Sequence, residues 1–223
     1  MTDVSEPPRE ATTLRSKAYH SFTERLLARD ILPGQFVTQR ELVAITGMPL
    51  GAIRELVPRL EAEGIVKTVP QRGMQIAHVD IDLIRNAFQL RLILEREALA
   101  EFCRKADDAA IDRIRDEHLE IAEEAGREIT PQLIARAQAI DWGFHDLIID
   151  RLENELVSNV YRVNSIKIRI IRGRETRILP ELIHNVVAEH MHILDALAER
   201  DEAKAVRALE VHIESARKRA LGL

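Results

Sequence analysis

Asp141 and His145 stand one helical turn apart in the stretch DWGFHDLIID, and the apolar residues around them put both on an inward-facing stripe. Over 131–150 that stripe runs Ile134, Ala137, Asp141, His145, Ile148. Over 181–199 it runs Ile183, Val187, His190, Leu194, Leu197, and over 202–219 Ala205, Leu209, His212, Ala216. Three helices therefore each turn polar groups towards a core. A single inward histidine is ordinarily a core residue satisfied by one hydrogen bond. Four inward groups demand more, because a buried carboxylate is strongly disfavoured unless paired, and each imidazole beside it needs an acceptor or a shared cation. One divalent cation per chain meets all of these needs. A His₃Asp set suits zinc, nickel, copper or manganese, with zinc and nickel the first expectations. The other histidines, His20, His78, His118, His184 and His192, fall outside this register and read as structural or surface residues.

The elements that must position these groups follow from periodicity and punctuation. Apolar spacing through Leu14, Ala18, Phe22, Leu26 and Leu27 predicts a first helix, ended before Pro33-Gly34. Thr38 and Glu41 form a capping-box pattern that opens a short second helix, which Gly47 breaks. A third helix resumes through Ile53, Leu56, Val57 and Leu60 and stops at Gly64. IVKTVP and MQIAHV, separated by QRG, read as a small hairpin. From the N-cap Asp80 onward, helices are expected at about 81–105, 107–126, 131–150, 154–172, 181–199 and 202–219. Pro131 and Pro180 mark two starts, since proline at the first helical position gives up an amide bond that is missing there anyway. The expectation is a mainly α chain. Residues 1–78 form a winged helix-turn-helix of three helices plus a hairpin, and 79–223 an all-α antiparallel bundle of six or seven helices.

Composition agrees with two folded domains. The 223 residues are 46% hydrophobic and 31% charged, with nine glycines. No apolar run approaches the roughly 18 residues of a membrane span, and the start of the chain lacks a secretory pattern, so a cytoplasmic protein is expected. The single cysteine, Cys103, excludes an internal disulfide and reads as a core residue. Net charge is −5, yet residues 1–78 hold ten Lys/Arg against nine Asp/Glu, leaving the acidity to the second domain. Two domains with different partners are implied.

The motifs ILPGQF, RELVAITG, IRELVPRLEAEGIV and PQRG, followed by LRLILEREALA, DWGFHDLIIDRLENEL and EHMHILDALAERDEAKAVRALEVHI, resemble the GntR family of bacterial transcription regulators. The likeness is to the FadR-like subgroup with an FCD effector domain, and it spans about Leu14 to Arg219. It implies a homodimer whose winged domains read a palindromic operator, and a repressor released when a small carboxylate enters the bundle. It also implies that Asp141, His145, His190 and His212 hold a divalent cation on a cavity floor. Arg91 matches the family's arginine in LRLILE and is the candidate for gripping the effector's far end; a salt bridge to Glu95 is the competing reading. For DNA, the pattern maps onto Arg40, Arg54, Arg72 and Gly73, the glycine allowing the wing backbone close approach.

The chain departs from that pattern at PLGA, Pro49 to Ala52, where the family usually has Ser-Arg-Thr-Pro. Leu50 replaces the expected base-reading arginine, and Pro58 inside the recognition helix should strain or kink it. An altered operator is expected. A metal-free regulator sensing a larger ligand is the alternative; a metal-dependent hydrolase or lyase is disfavoured because no acid–base partners accompany the ligand set, and no catalytic role is expected.

Overall fold

The computed structural model describes residues 13–172 and 182–223. The chain divides into two compact units that meet between His78 and Val79, and each is described by itself.

The first unit comprises α1 (Leu14–Leu27), β1 (Phe36–Val37), α2 (Gln39–Thr46), α3 (Leu50–Ala62), β2 (Val66–Val69) and β3 (Gly73–Ile76). Both halves of the capping box form: the Glu41 amide donates to the Thr38 hydroxyl at 3.2 Å, and the Thr38 amide donates to Glu41 Oε2 at 2.7 Å. Gly47, at φ +69°, ends α2 in the left-handed conformation and turns the chain into α3. The inner face of α3, Ala52, Ile53, Leu56, Val57 and Leu60, is buried, as are Ala18, Phe22 and Leu26 of α1, on which it packs. Leu14, expected on that stripe, is instead 60% exposed, because a first-turn side chain leans back beyond the end of its helix. Helix α3 has no side-chain cap at Pro49 and continues through Pro58 to Ala62 rather than ending there; the missing donor is the amide that the Arg54 carbonyl would otherwise accept.

The wing differs from the expected two-stranded hairpin. A third strand, β1, pairs antiparallel with β3, giving the order β1-β3-β2 with Val37 opposite Met74 and Thr68 opposite Met74 on the other edge. Two residues are too few for alternation to register in sequence. Gly73 at φ +91° lies so close to this strand that an added Cβ would come within 2.7 Å of the Val37 carbonyl oxygen. Its glycine is thus required inside the wing, whatever contacts the wing makes outside.

The second unit contains, among the described residues, six helices: α4 (Ile81–Lys105), α5 (Asp108–Arg127), α6 (Pro131–Asp150), α7 (Glu155–Arg172), α8 (Ile183–Ala198) and α9 (Glu202–Ala220). Asp80, Asp107, Thr130 and Asp201 cap four of them through side-chain acceptors. Pro131 occupies the first turn of α6, whereas Pro180, expected to start α8, lies outside the described residues. Helix α8 packs on α9 and α5, and α4 on α9, α7 and α6. The main core joins Phe88, Leu99, Phe102, Ile148, Ile193, Leu194 and Leu209, with Cys103 buried among them. A second cluster, Ile121, Leu133, Ala137, Ile183 and Val187, closes the α5–α6–α8 side. No helix among the described residues is long and apolar enough to cross a membrane.

Candidate metal centre

Asp141, His145, His190 and His212 project from α6, α8 and α9, and all four are at most 2% exposed. One potential donor atom from each lies within 4.8 Å of the other three. The Nε2 atom of His212 is 3.2 Å from His145 Nε2 and 3.3 Å from His190 Nε2. Asp141 Oδ1 is 3.4 Å from His190 Nε2 and 3.9 Å from His145 Nε2. Four donors held about 2.1 Å from one shared centre stand about 3.4 Å apart, so these separations fit a small divalent cation.

The outer edges of the rings explain why Nε2 points inward in each case. His145 Nδ1 donates to Glu95 Oε2 at 2.7 Å, and His212 Nδ1 donates to Glu189 Oε2 at 2.8 Å. His190 Nδ1 is 2.8 Å from His118 Nε2, whose own Nδ1 donates to the Ile114 carbonyl at 2.7 Å. With the Nδ1 protons of His145 and His212 committed outward to carboxylates, their Nε2 lone pairs converge with His190 Nε2 and a carboxylate oxygen. Such an arrangement is electrostatically unfavourable alone and suited to a Lewis acid. The buried His/Asp cluster could therefore hold a metal ion.

Burial and neighbouring charge set the protonation of the surroundings. Burial, reinforced by Arg91, pushes the His145 imidazole down to about 4 against the opposing pull of Glu95. Burial and the adjacent His212 push His190 well below its ordinary value, and burial likewise lowers His118. Burial alone would raise Glu95, but Arg91 and His145 outweigh it and hold that carboxyl at about 2. Glu189 is also lowered: burial opposes the shift, and hydrogen bonds and charge from His212 and Arg219 prevail.

Arg91 is 2% exposed and makes the salt bridge to Glu95, Nε to Oε1 at 2.8 Å. That bond uses only one edge of the guanidinium. Neither Nη1 nor Nη2 finds a hydrogen-bond partner among the described residues. One edge of this arginine is thus engaged by Glu95, as the competing reading expected, and the other carries two donors within the electrostatic reach of Tyr161 and Asp141. A small void of about 10 Å³, the size of one water, borders Asp141, His190 and His118. A larger groove of about 610 Å³ lies between α8 and α9 on the outer surface and meets the cluster only through Glu189.

In the first unit Arg40 lies exposed in the first turn of α2, Arg54 exposed on α3, and Arg72 exposed at the wing turn. The Arg72 guanidinium rests over the Phe36 ring, 3.9 Å from its centroid. Leu50, the residue in place of an arginine, is 37% exposed at the start of α3.

Sequence reasoning missed three groups. Glu95 of α4 and Glu189 of α8 each accept from a histidine on a different helix, and their pairing depends on how the helices are rotated against one another. His118 was within reach. It is 2% exposed and belongs to the buried stripe Ile111, Ile114, His118, Ile121, Ala125, a structural core position on an apolar stripe of its own helix and not outside one. His20, His184 and His192 are exposed, as expected of surface residues.

Residues 86–215, more than half of the chain, match the FCD domain family. The chain is 27% identical over 182 residues to the Nta operon transcriptional regulator of Aminobacter aminovorans, covering 82% of each. It is 26% identical over 203 residues to an HTH-type transcriptional regulator in an unstable DNA locus of Streptomyces ambofaciens, covering 90% of this chain and 82% of that one. Among solved structures, the fold is similar to that of E. coli McbR/YncC, with a TM-score of 0.71 at 14% identity over 91% of this chain and 94% of that chain. It is also similar to a GntR regulator from Rhodococcus sp. RHA1, with a TM-score of 0.70 at 16% identity over 93% and 97%. These relatives are named as transcriptional regulators, and the family is one of DNA-binding regulators, not of enzymes. The chain belongs to the GntR family of transcriptional regulators, in the FadR-like subgroup that carries an FCD domain.

Proposed function

We propose that this chain is a cytoplasmic, metabolite-responsive repressor: residues 1–78 bind a palindromic operator as half of a homodimer, and residues 79–223 hold one divalent transition metal and a small carboxylate effector that releases the DNA. The observation that carries the sensing half is the convergence of three Nε2 atoms with Asp141 Oδ1, the Nδ1 edge of each ring being already engaged outward. Asp141, His145, His190 and His212 would hold the cation, zinc or nickel by donor type. When bound, it supplies a Lewis-acidic site at which a carboxylate oxygen can bind.

Charge selects the effector class. Arg91, Glu95 and Asp141 bring one positive and two negative charges into a sealed interior, and a divalent cation would turn that sum to +1. A monoanionic acid neutralises it, one end at the metal and another at the two free Nη groups of Arg91. The void at the cluster is far smaller than an organic acid, so admission requires the surrounding helices to shift. That displacement is a physical basis for a ligand changing operator affinity.

On the DNA side, Arg40, Arg54 and Arg72 supply exposed cationic groups, with Gly73 closing the wing turn. Two-fold symmetry in a homodimer predicts inverted half-sites. Leu50 offers apolar contact suited to a thymine methyl where an arginine would take guanine, so the operator should differ from the common family half-site.

Elemental mass spectrometry of untagged protein prepared without chelators tests the metal. About one equivalent per chain is expected. No metal, and none taken up on reconstitution, refutes the sensing site and favours a metal-free regulator. Operator selection from random DNA tests the other half: failure to enrich any inverted repeat refutes it.

A further inference from the structure

We propose that His118 is a positioning residue of the metal centre, fixing His190 in the tautomer that can bind a cation; this rests on the metal reading above. The Ile114 carbonyl can only accept, so the proton of His118 sits on Nδ1, 2.7 Å away. His118 Nε2 then presents a lone pair to His190 Nδ1 at 2.8 Å, which must donate. The proton of His190 is thereby held on Nδ1, and Nε2 is left as a lone pair facing His212 Nε2 and Asp141 Oδ1 at 3.3 and 3.4 Å. The reverse tautomer would set two lone pairs against each other between His118 and His190. Relieving that clash would need a doubly protonated His118 at 2% exposure, in contact with a backbone carbonyl and a histidine rather than a carboxylate.

The relay also distinguishes His190 from the other two ligands. His145 and His212 donate to carboxylates, Glu95 and Glu189, which raise the electron density of the rings they touch. His190 donates to a neutral imidazole that ends on a main-chain carbonyl. His190 is therefore the weakest nitrogen donor of the three and the one whose orientation depends most on its partner. The packing is separable from the hydrogen bond. The His118 ring meets Phe144 edge-on at 6.0 Å and His190 at 5.0 Å, contacts that an apolar side chain of similar size can partly reproduce.

The test uses the full chain, loaded with zinc for affinity by chelator competition and with cobalt for its absorption spectrum. His118→Leu is expected to weaken zinc binding by about 10- to 100-fold and to change the cobalt spectrum. His118→Gln, whose amide oxygen can accept from His190 Nδ1, is expected to recover most of the affinity. Unchanged affinity and spectrum in His118→Leu overturn the proposal. So does a loss in His118→Gln as large as in His118→Leu, since acceptance would then not be what matters. Nitrogen-15 shifts of His190 in the wild-type metal-free protein give a reading independent of any variant: a proton on Nδ1 supports the assignment, and one on Nε2 overturns it. Wild-type protein that takes up no metal refutes the metal centre itself, whereas uptake with an indifferent His118→Leu refutes only the relay.

Discussion

Replacing Glu95 by glutamine should do more damage than any exchange of similar size on the surface. Glu95 is fully buried and accepts from Arg91 Nε at 2.8 Å and from His145 Nδ1 at 2.7 Å. Glutamine keeps the shape but offers one acceptor oxygen, and its amide nitrogen must face another donor. The charge of Arg91 loses its carboxylate partner at 2% exposure, with neither Nη group hydrogen-bonded among the described residues. Breaking a buried pair by removing one partner costs about 3–5 kcal/mol. Partial acceptance by the amide oxygen points to the lower end, about 3 kcal/mol. With a urea dependence of roughly 1–3 kcal/mol per molar, the unfolding midpoint should fall by about 1–3 M. Trp142, the chain's single tryptophan, is 8% exposed in α6 beside Asp141, so its fluorescence follows the second unit and leaves the first silent. The measurement is made on chelator-treated protein, so that metal affinity does not enter. In a parallel titration zinc affinity should drop by about 10- to 100-fold, because His145 loses the acceptor that orients it. A midpoint within about 0.3 M of wild type, a shift below about 1 kcal/mol on the same scale, would refute the argument that this carboxylate compensates a buried cation.

Acidification should destabilise the metal-free second unit in two steps. His145 has a folded value of about 4 against about 6.5 when unfolded, so the unfolded chain takes the proton first and stability is lost as pH falls from about 6.5 to 4, by about 3 kcal/mol. His190 adds in the same direction, and Glu95, lowered to about 2, extends the loss from about 4.5 down to 2; flat Trp142-monitored stability between pH 7 and 4.5 contradicts this. Arg40→Ala, Arg54→Ala and Arg72→Ala should each weaken operator binding and, where the contact is to phosphate, reduce the salt dependence by about one ion, with metal content unaltered. A gel-shift series over ionic strength that shows no change in any of the three contradicts the placement of the DNA surface. Gly73→Ala should lower the stability of the first unit by about 1–3 kcal/mol, since its Cβ meets the Val37 carbonyl at positive φ; a thermal transition of the isolated-unit signal identical to wild type argues against it.

The stripes on α6, α8 and α9 were legible because burial repeats every three or four residues, and a polar residue in such a row stands out against its neighbours. The capping box was legible because it is local, complete within Thr38 to Glu41. His118 obeys the same periodicity on α5 but stands alone on its helix, without the paired carboxylate that draws attention to Asp141 and His145. Glu95 could be paired with Arg91 from spacing, yet its second bond, to His145, joins residues fifty positions apart and follows from the rotation of α4 against α6. Glu189 reaches across from α8 to His212 of α9 in the same way. Strand β1 escaped because two residues carry no alternation, and its existence is set by β3 offering an open edge.

Helix α4 has a mechanical consequence. It runs without interruption for 25 residues, from Ile81, three positions after the first unit ends, to Lys105. Glu95 and Arg91 lie partway along it, so the groups that brace the cluster are rigidly tied to the residue where the chain leaves for the first unit. The first residue of the helix lies about 21 Å along the axis from Glu95. A tilt of about 5° pivoting at Glu95 would carry that residue roughly 2 Å sideways at this rise per residue. A displacement too small to break any bond at the pivot thus becomes, at the free end of the lever, a shift as large as the difference between a made and a missed phosphate contact.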